Sequence, residues 1–246
     1  MKPSARGFLV AFIVVAIVHL GSITFGLTGI GAATKPFLML LLIGLVLTSV
    51  NLSSHPSVPW LVAGQAFSCI GDIALISEGT MFFIAGMAGF LVAQICYITG
   101  YFKLGAKVGY QQRRWVLVVY PLFWVAANAA LWSGLGPMRS PIAIYSLALV
   151  AMAMTSMTLG NLFGLGGFLF MISDLMIGAT VAYGDFPGSH FLVMSTYIVG
   201  QLIICLFWLK KVEDAAPADQ GSMTESPRRR PLLGDEPAVE FPWPDR

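Results

Sequence analysis

The chain has 246 residues, of which 57% are apolar and only 11% are charged, and its formal net charge is +2. Soluble globular domains carry about 25% charged residues, so this composition excludes that class of protein. Residues 36–71 and residues 140–173 contain no Asp, Glu, Lys or Arg. Each run is longer than the ~20 apolar residues that cross a bilayer, so the sequence predicts an all-α polytopic membrane protein.

The apolar segments predict a bundle of about eight transmembrane helices. The first, residues 8–28, is longer than the apolar part of a typical signal peptide, so we expect an uncleaved helix. Turn-forming residues separate most of the later segments, although the boundary at residues 158–161 offers almost no loop. The predicted spans are 8–28, 36–51, 58–77, 80–102, 115–133, 139–158, 160–183 and 190–209.

The distribution of Lys and Arg supports an even number of spans. If the N-terminus is cytoplasmic, eight spans leave Lys35 and Arg139 as the cations of the outer loops. This is the positive-inside pattern, and seven spans would place Lys210 and Lys211 outside. We therefore expect both termini in the cytoplasm. The predicted cytoplasmic cations are Lys2, Arg6, Lys103, Lys107, Arg113, Arg114, Lys210 and Lys211.

The character of the chain changes after Lys211. Residues 212–246 contain six prolines, mixed charges and few large apolar residues. Such a segment cannot bury enough apolar surface to fold, so it predicts a disordered Pro-rich cytoplasmic tail. The sequence thus predicts two regions, a transmembrane domain over residues 1–211 and a tail over residues 212–246.

A short internal similarity suggests that the membrane domain consists of two repeats of four spans. Phe90-Leu91-Val92 in span four recurs as Phe191-Leu192-Val193 in span eight, and Asp72 in span three corresponds to Asp174 in span seven. Two halves of four spans have the same orientation, so the repeat would be parallel, with its axis along the membrane normal. We therefore expect both acids at similar depth, on opposite sides of a central cavity.

Asp72, in the segment FSCIGDIALI, and Asp174, in FLFMISDLMIG, are the clearly embedded acids of the predicted spans. An Asp near the bilayer centre costs about 2.5–3.5 kcal/mol to insert, so we expect each to face the bundle interior or a wet cavity. Lys35, Arg139 and Tyr197 are predicted in the same outer half of the membrane. The polar groups therefore converge on one side.

Two carboxylates in a low-dielectric cavity do not ionise together readily, so we expect one protonated acid beside one carboxylate. This pair suits general acid and general base catalysis of hydrolysis. It suits equally a proton-coupled transporter of a small molecule or lipid, and the acids alone do not separate the two. The sequence has no serine-hydrolase elbow, zinc-protease motif or nucleotide loop, so we expect no metal, no cofactor and no nucleic-acid partner.

The segments around these acids resemble the YhhN-like family, whose characterised members are lysoplasmalogenases. The similarity rests on short motifs that occur in the same order, and it covers nearly all of residues 8–209. The motifs are Thr34-Lys35-Pro36, Phe67-Ser68 with Gly71-Asp72, Ser173-Asp174, and Tyr197 with Gln201.

The resemblance implies an eight-helix membrane enzyme that hydrolyses the vinyl ether bond of a lysoplasmalogen. The products would be a fatty aldehyde and a glycerophospho-base such as glycerophosphoethanolamine or glycerophosphocholine. The motif acids Asp72 and Asp174 would be the catalytic pair, and a lysophospholipid and membrane lipids would be the partners. We expect a multi-pass protein of a bacterial inner membrane. The predicted substrate-binding residues are Lys35, Tyr197, Gln94, Tyr97, Ser173 and Arg139, with Lys35 and Arg139 holding the phosphate at the outer mouth.

The chain departs from the family pattern in span four. The segment FLVAQICYI has Gln94 before Tyr97, where the family commonly has a His. Gln cannot transfer a proton, although it can orient water or substrate. If that His were essential, this chain would be slow or would use another substrate.

Overall fold

The computed structural model of the protein describes residues 2–215. Within these residues the fold is entirely helical, and no strand is present. The predicted tail from residue 216 onward lies outside the described residues, and the last helix continues past Lys211 to Ala215. The helices are α1 (Pro3–Thr24), α2 (Thr28–Ser49), α3 (Val58–Ala74), α4 (Thr80–Lys103), α5 (Ala106–Gln112), α6 (Val116–Leu131), α7 (Arg139–Thr158), α8 (Asn161–Tyr183) and α9 (Ser189–Ala215).

The helices confirm a multi-pass membrane protein. Six helices of the described region, α1, α2, α4, α7, α8 and α9, are long and apolar enough to cross a bilayer. The pair α5 and α6, which is bent by 93°, can form a seventh span. The remaining apolar helix, α3, has 17 residues and is shorter than a standard span. Length and composition therefore give six or seven candidate spans among the described residues.

Helix α2 begins earlier than the sequence predicts. The expected span started at residue 36, after the charged Lys35, but the helix starts at Thr28. Lys35 therefore lies about two turns inside the helix rather than at its mouth. Pro36 lies within the helix, and proline has no N–H to donate to the carbonyl four residues earlier.

Sequence neighbours pack side by side in this fold, and contacts between the first four and the last four helices close the bundle. Helices α1 to α4 pack in chain order, as do α6 to α9, while α4 contacts α7 and α9 contacts α1, α2 and α3. Large apolar side chains such as Ile17, Leu122 and Ile144 are exposed on the outside. Lipid accepts such a surface, because hydrocarbon tails are as apolar as these side chains.

Glycines allow α3 and α4 to approach closely beside the first acid. A Cβ added to Gly89 of α4 would lie 3.0 Å from the backbone nitrogen of Gly71 in α3. A Cβ on Gly71 would lie 2.7 Å from the ring of Phe90. Small residues at such contacts are typical of membrane helix packing, where close backbone approach stabilises the pair. The contact fixes the part of α3 that carries Asp72.

Candidate active site

Asp72 lies near the end of α3, directly after Gly71, and is only 1% exposed. The hydroxyl of Tyr197 in α9 donates a hydrogen bond of 2.7 Å to its Oδ2. The ammonium of Lys35 in α2 lies 3.7 Å from its Oδ1. A buried charge needs a counter-charge and hydrogen bonds, so these contacts indicate that Asp72 is a carboxylate held among three helices.

Lys35 links this carboxylate to a cavity. Its side chain is 16% exposed, and both Lys35 and Ala32 line the cavity described below. Because Pro36 has no N–H, the carbonyl of Ala32 loses its usual helical donor. The Thr34-Lys35-Pro36 motif therefore places a cation and a carbonyl that lacks its usual i+4 donor on the same helical wall.

Asp174 lies in α8 and is 8% exposed. The hydroxyl of Tyr145 in α7 donates a hydrogen bond to its Oδ2. In the part of the chain that the structure describes, Asp174 forms no ion pair and its Oδ1 has no hydrogen-bond partner. The preceding residue, Ser173, donates 2.9 Å to the carbonyl of Val193 and so ties α8 to α9. The second acid thus has a tyrosine partner but no cation.

An aromatic cluster connects the surroundings of the two acids. The ring of Tyr197 packs edge-on against Phe90 at 5.8 Å and against Phe170 at 5.5 Å, and these two rings are 6.0 Å apart. Phe90 also lines the small cavity that contains Asp174. Asp72 and Asp174 therefore lie on either side of one aromatic cluster and have different partners.

A second polar layer lies in the core around Gln201 of α9. Its amide oxygen accepts a hydrogen bond of 2.8 Å from Tyr97, and its amide nitrogen donates 3.1 Å to Ser68. Gln94 of α4 is fully buried, and neither its oxygen nor its nitrogen has a hydrogen-bond partner among the described residues. These residues support the helices of the acid pair from inside the bundle.

A cavity of about 600 Å³, which we call the vestibule, opens between the ends of α1, α2, α8 and α9 and the loop after α3. Leu75, Phe83 and Ile177 of its wall also line a smaller cavity of about 40 Å³. This smaller cavity, the acid pocket, contains Asp174 and Tyr145 and is large enough for a water molecule. The vestibule and the acid pocket therefore adjoin, and Asp174 lies at the inner end.

A further cavity of about 40 Å³ lies on the other side of Asp174, between α6, α7 and α8. It shares Asp174, Tyr145 and Ile142 with the acid pocket. Asp72 itself lines none of these three cavities, whereas Lys35, which contacts it, lines the vestibule. The two acids thus differ in access as well as in partners.

The predicted site residues divide into three groups. Lys35 and Tyr197 join Asp72 directly, and Asp174 lies at the adjoining pocket. Tyr97, Gln94 and Ser173 lie in the buried core and line none of these cavities.

Arg139 is not brought to the site. Its Nε donates 2.7 Å to the carbonyl of Trp132, and its guanidinium lies 5.8 Å from the centre of the Trp132 ring. These contacts anchor the start of α7.

Two residues at the site are absent from the sequence-based prediction. Tyr145 is the partner of Asp174, and its signal was weak: it is the single tyrosine of span six. His19 lines the vestibule from α1, although its position in an otherwise apolar span suggested no ligand spacing. Among the described residues, no group of three or more His, Cys, Asp or Glu side chains is placed to hold a metal ion.

Fold and site together define a multi-pass membrane protein with two buried carboxyl groups, one paired with a lysine and the other at a cavity. The sequence profile of the YhhN family matches residues 30–207, and the chain belongs to the YhhN family.

Named relatives are similar over most of the membrane domain. The chain is 29% identical over 183 residues to lysoplasmalogenase TMEM86A of Bos taurus, covering 71% of this chain and 74% of the relative. It is 28% identical over 185 residues to lysoplasmalogenase TMEM86A of Homo sapiens, with the same coverage. It is 30% identical over 156 residues to lysoplasmalogenase TMEM86B of Rattus norvegicus, covering 63% of this chain and 64% of the relative. No solved structure is significantly similar to this chain.

Proposed function

We propose that this protein is an integral membrane lysoplasmalogenase, a hydrolase of the vinyl ether bond in alkenyl glycerophospholipids with one chain. Family membership and the named relatives support the reaction class. The observation that carries the proposal is the unequal acid pair: Asp72 pairs with a cation, whereas Asp174 pairs with none of the cations in residues 2–215 and lies at a cavity. Vinyl ether hydrolysis needs one acid to give a proton and one base to activate water.

The proposed topology has eight spans, with the short helix α3 as one of them and both termini in the cytoplasm. Support comes from the positions of the charges, because Lys103, Lys107 and Arg113 are near the junction of α4, α5 and α6. Lys210 and Lys211 belong to the last turns of α9. The positive-inside rule orients this end toward the cytoplasm and the vestibule toward the other side, in the inner membrane of a bacterium.

A parallel repeat is consistent with how the helices pack. If α1–α4 correspond to α6–α9, the contact of α4 with α7 corresponds to the contact of α9 with α2, and both contacts occur. Asp72 meets Lys35 on α2, and Asp174 meets Tyr145 on α7, so each acid has a partner on the second helix of its own half. We propose that the acid pair arose from equivalent positions of two repeats.

The partners suggest a division of roles between the acids. Asp174 is proposed as the general acid, because without a cation nearby a buried carboxyl group is more stable in its neutral form. Tyr145 donates to Oδ2, so the proton is assigned to Oδ1, the oxygen without a hydrogen bond. Asp72 is proposed as the general base, because Lys35 and Tyr197 stabilise its charged form.

In the proposed reaction, protonated Asp174 gives its proton to the alkenyl carbon that is not bonded to the ether oxygen. The other alkenyl carbon and the ether oxygen then form an oxocarbenium ion. Asp72 takes a proton from water as the water oxygen bonds to the cationic carbon, which forms a hemiacetal. Asp72 then returns this proton to the ether oxygen as its bond to carbon breaks. The hemiacetal hydroxyl gives its proton to Asp174 as the aldehyde forms. Both acids end in their starting states, and one water molecule is consumed.

Lys35 is proposed to respond to substrate. A phosphate group in the vestibule would compete with Asp72 for the ammonium, because a phosphodiester is also an anion. Movement of Lys35 onto the phosphate would uncover the Asp72 carboxylate beside the substrate. Arg139 does not enter this proposal, since its contacts are with the end of α6.

The test is aldehyde release by the purified full-length protein in detergent. An alkenyl lysophospholipid is the substrate, and the saturated alkyl ether lipid of the same chain length is the matched control. We expect aldehyde and the glycerophospho-base from the alkenyl lipid alone. Asp72→Asn and Asp174→Asn should each lower kcat by about 10²–10⁴, the usual contribution of a general acid or base. A folded wild type that releases no aldehyde would contradict the assignment.

The alternative function is proton-coupled transport, which a buried Lys–Asp pair in a membrane protein also favours. A carrier needs access to its site from both sides of the membrane. On the side away from the vestibule, however, the core is filled by aromatic side chains that pack together, namely Tyr97, Tyr101, Phe163 and Trp208. In proteoliposomes, gradient-dependent lipid or solute flux without aldehyde formation would favour the carrier.

A further inference from the structure

His19 of α1 is a buried histidine with one unpaired nitrogen. It is 2% exposed and lines the vestibule together with Lys35. Its Nδ1 lies 2.8 Å from the hydroxyl oxygen of Thr34 in α2, whereas its Nε2 has no hydrogen-bond partner among the described residues. His19 lies in α1, before the segment that the family profile matches, residues 30–207.

The hydrogen bonds of Thr34 determine the tautomer of this ring. The Thr34 hydroxyl donates 2.7 Å to the carbonyl of Ile30, within its own helix. The carbonyl of Gly31 lies 3.2 Å from the same hydroxyl. With its proton directed to these carbonyls, the Thr34 oxygen accepts from the ring, and we assign the ring hydrogen to Nδ1 of His19. In the neutral ring the other nitrogen, Nε2, is then an acceptor.

The neighbouring polar groups do not satisfy this acceptor. Ser22, one turn further along α1, donates its own hydroxyl proton to the carbonyl of His19 at 2.6 Å. Lys35 directs its ammonium to Asp72. An unpaired buried acceptor costs stability, and the vestibule beside it has room for a ligand. The acceptor therefore needs a hydrogen-bond donor in the vestibule, which either water or a group on a bound molecule can supply.

We propose that His19 accepts a hydrogen bond from the free hydroxyl of the glycerol backbone and so selects lipids with one chain. This proposal rests on the proposed function. In a lysoplasmalogen, the hydroxyl lies on the carbon between the one bearing the vinyl ether oxygen and the one bearing the phosphate. A substrate with its vinyl ether at the acids and its phosphate at Lys35 brings this hydroxyl to the wall that Lys35 and His19 share. A second acyl chain replaces the hydroxyl hydrogen and removes the donor.

The test compares an alkenyl lysophospholipid with its 2-deoxy analogue, which lacks only this hydroxyl. For the wild type we expect kcat/KM to be about tenfold higher with the hydroxyl present, corresponding to one neutral hydrogen bond. His19→Asn retains a donor near the position of Nδ1 but has no acceptor at Nε2, so its preference should fall to about one. His19→Gln, which reaches the position of Nε2, is the matched control and should retain most of the preference.

Two results would overturn the proposal. The first is an equal kcat/KM of the wild type for both lipids, which is measured without any variant. The second is His19→Asn losing activity equally toward both lipids, which would indicate a structural role or a phosphate contact.

A binding measurement separates this proposal from the proposed function. Saturated alkyl lysophosphocholine and its 2-deoxy analogue are not cleaved, and each can be titrated against thermal stability of the full chain. In one combination of results, the lipid with the hydroxyl binds the wild type more tightly than its 2-deoxy analogue and loses this advantage in His19→Asn, while the alkenyl lipid yields no aldehyde. That combination would support the hydroxyl site and reject the enzyme activity. Aldehyde release with equal binding of both probes would retain the enzyme and reject the role of His19.

Discussion

The pair formed by Lys35 and Asp72 is the feature of this site whose energetics are most clearly defined. Its charged atoms lie 3.7 Å apart, Asp72 is almost completely buried, and the Lys35 side chain is 16% exposed. Replacing Lys35 with Met retains most of the side-chain length and removes the charge. The Asp72 carboxylate would then be buried with only the Tyr197 hydroxyl as a partner. We therefore expect Lys35→Met to destabilise the protein markedly.

The magnitude follows from the distance. At 3.7 Å and an effective dielectric constant of about 20, two unit charges attract by about 4 kcal/mol. Removal of one partner of a buried pair costs about 3–5 kcal/mol, because the other charge remains unpaired. We expect Lys35→Met to lower the free energy of unfolding by about 3 kcal/mol. Lys35→Met combined with Asp72→Asn should recover about 2 kcal/mol of that loss, since no buried charge is then left alone.

The assay is a double-mutant cycle on the free energy of unfolding, measured by denaturant titration in detergent micelles at neutral pH. Lys35→Arg is the control, because it keeps the positive charge. A double variant whose loss equals the sum of the two single losses would refute the reasoning, since independent sites add and coupled sites do not.

Three further predictions test other parts of the site. Tyr145→Phe removes the hydrogen bond to Asp174, so we expect kcat for aldehyde release to fall about tenfold with little change in KM; an unchanged kcat would remove Tyr145 from the mechanism. Gly89→Ala places a methyl group against the backbone of Gly71, so we expect the free energy of unfolding to fall by about 1–3 kcal/mol, measured by thermal melting. An unchanged melting temperature would show that α3 and α4 can move apart without cost. Arg139→Gln should change kcat/KM less than twofold, because Arg139 contacts the end of α6; a large rise in KM would restore it as a phosphate ligand.

Much of the membrane architecture is predictable from hydropathy. Each predicted span overlaps a helix of the described region, because crossing a bilayer requires apolar runs whatever the tertiary contacts are. Two of these helices, α3 and α6, are shorter than a standard span. Asp72 and Asp174 were predictable because an embedded acid is costly without a functional or structural partner. The predicted start of span two at residue 36 is wrong, because α2 begins at Thr28 and contains Lys35. The sequence does not show that Asp72 offers Lys35 a counter-ion inside the bundle.

The partners of the acids were less predictable than the acids. Tyr145 meets Asp174 through the packing of α7 against α8, and an isolated tyrosine in an apolar span carries no sign of that contact. The role proposed for His19 depends on Thr34 of the next helix. The hydroxyl of Thr34 contacts both the His19 ring and the carbonyl of Ile30, and these contacts are the basis for the assigned tautomer of His19. Such pairings depend on helix rotation about the bundle axis, which the nearly uniform apolar pattern of these spans leaves undetermined.

The central claim is that a buried Asp protonates the alkenyl carbon. The most direct measurement is mass spectrometry of the aldehyde released by the wild type and by Asp174→Asn in D₂O. We expect one deuterium on the carbon next to the aldehyde group for the wild type, and almost no aldehyde from the variant. Aldehyde without that deuterium, or undiminished release by Asp174→Asn, would contradict it.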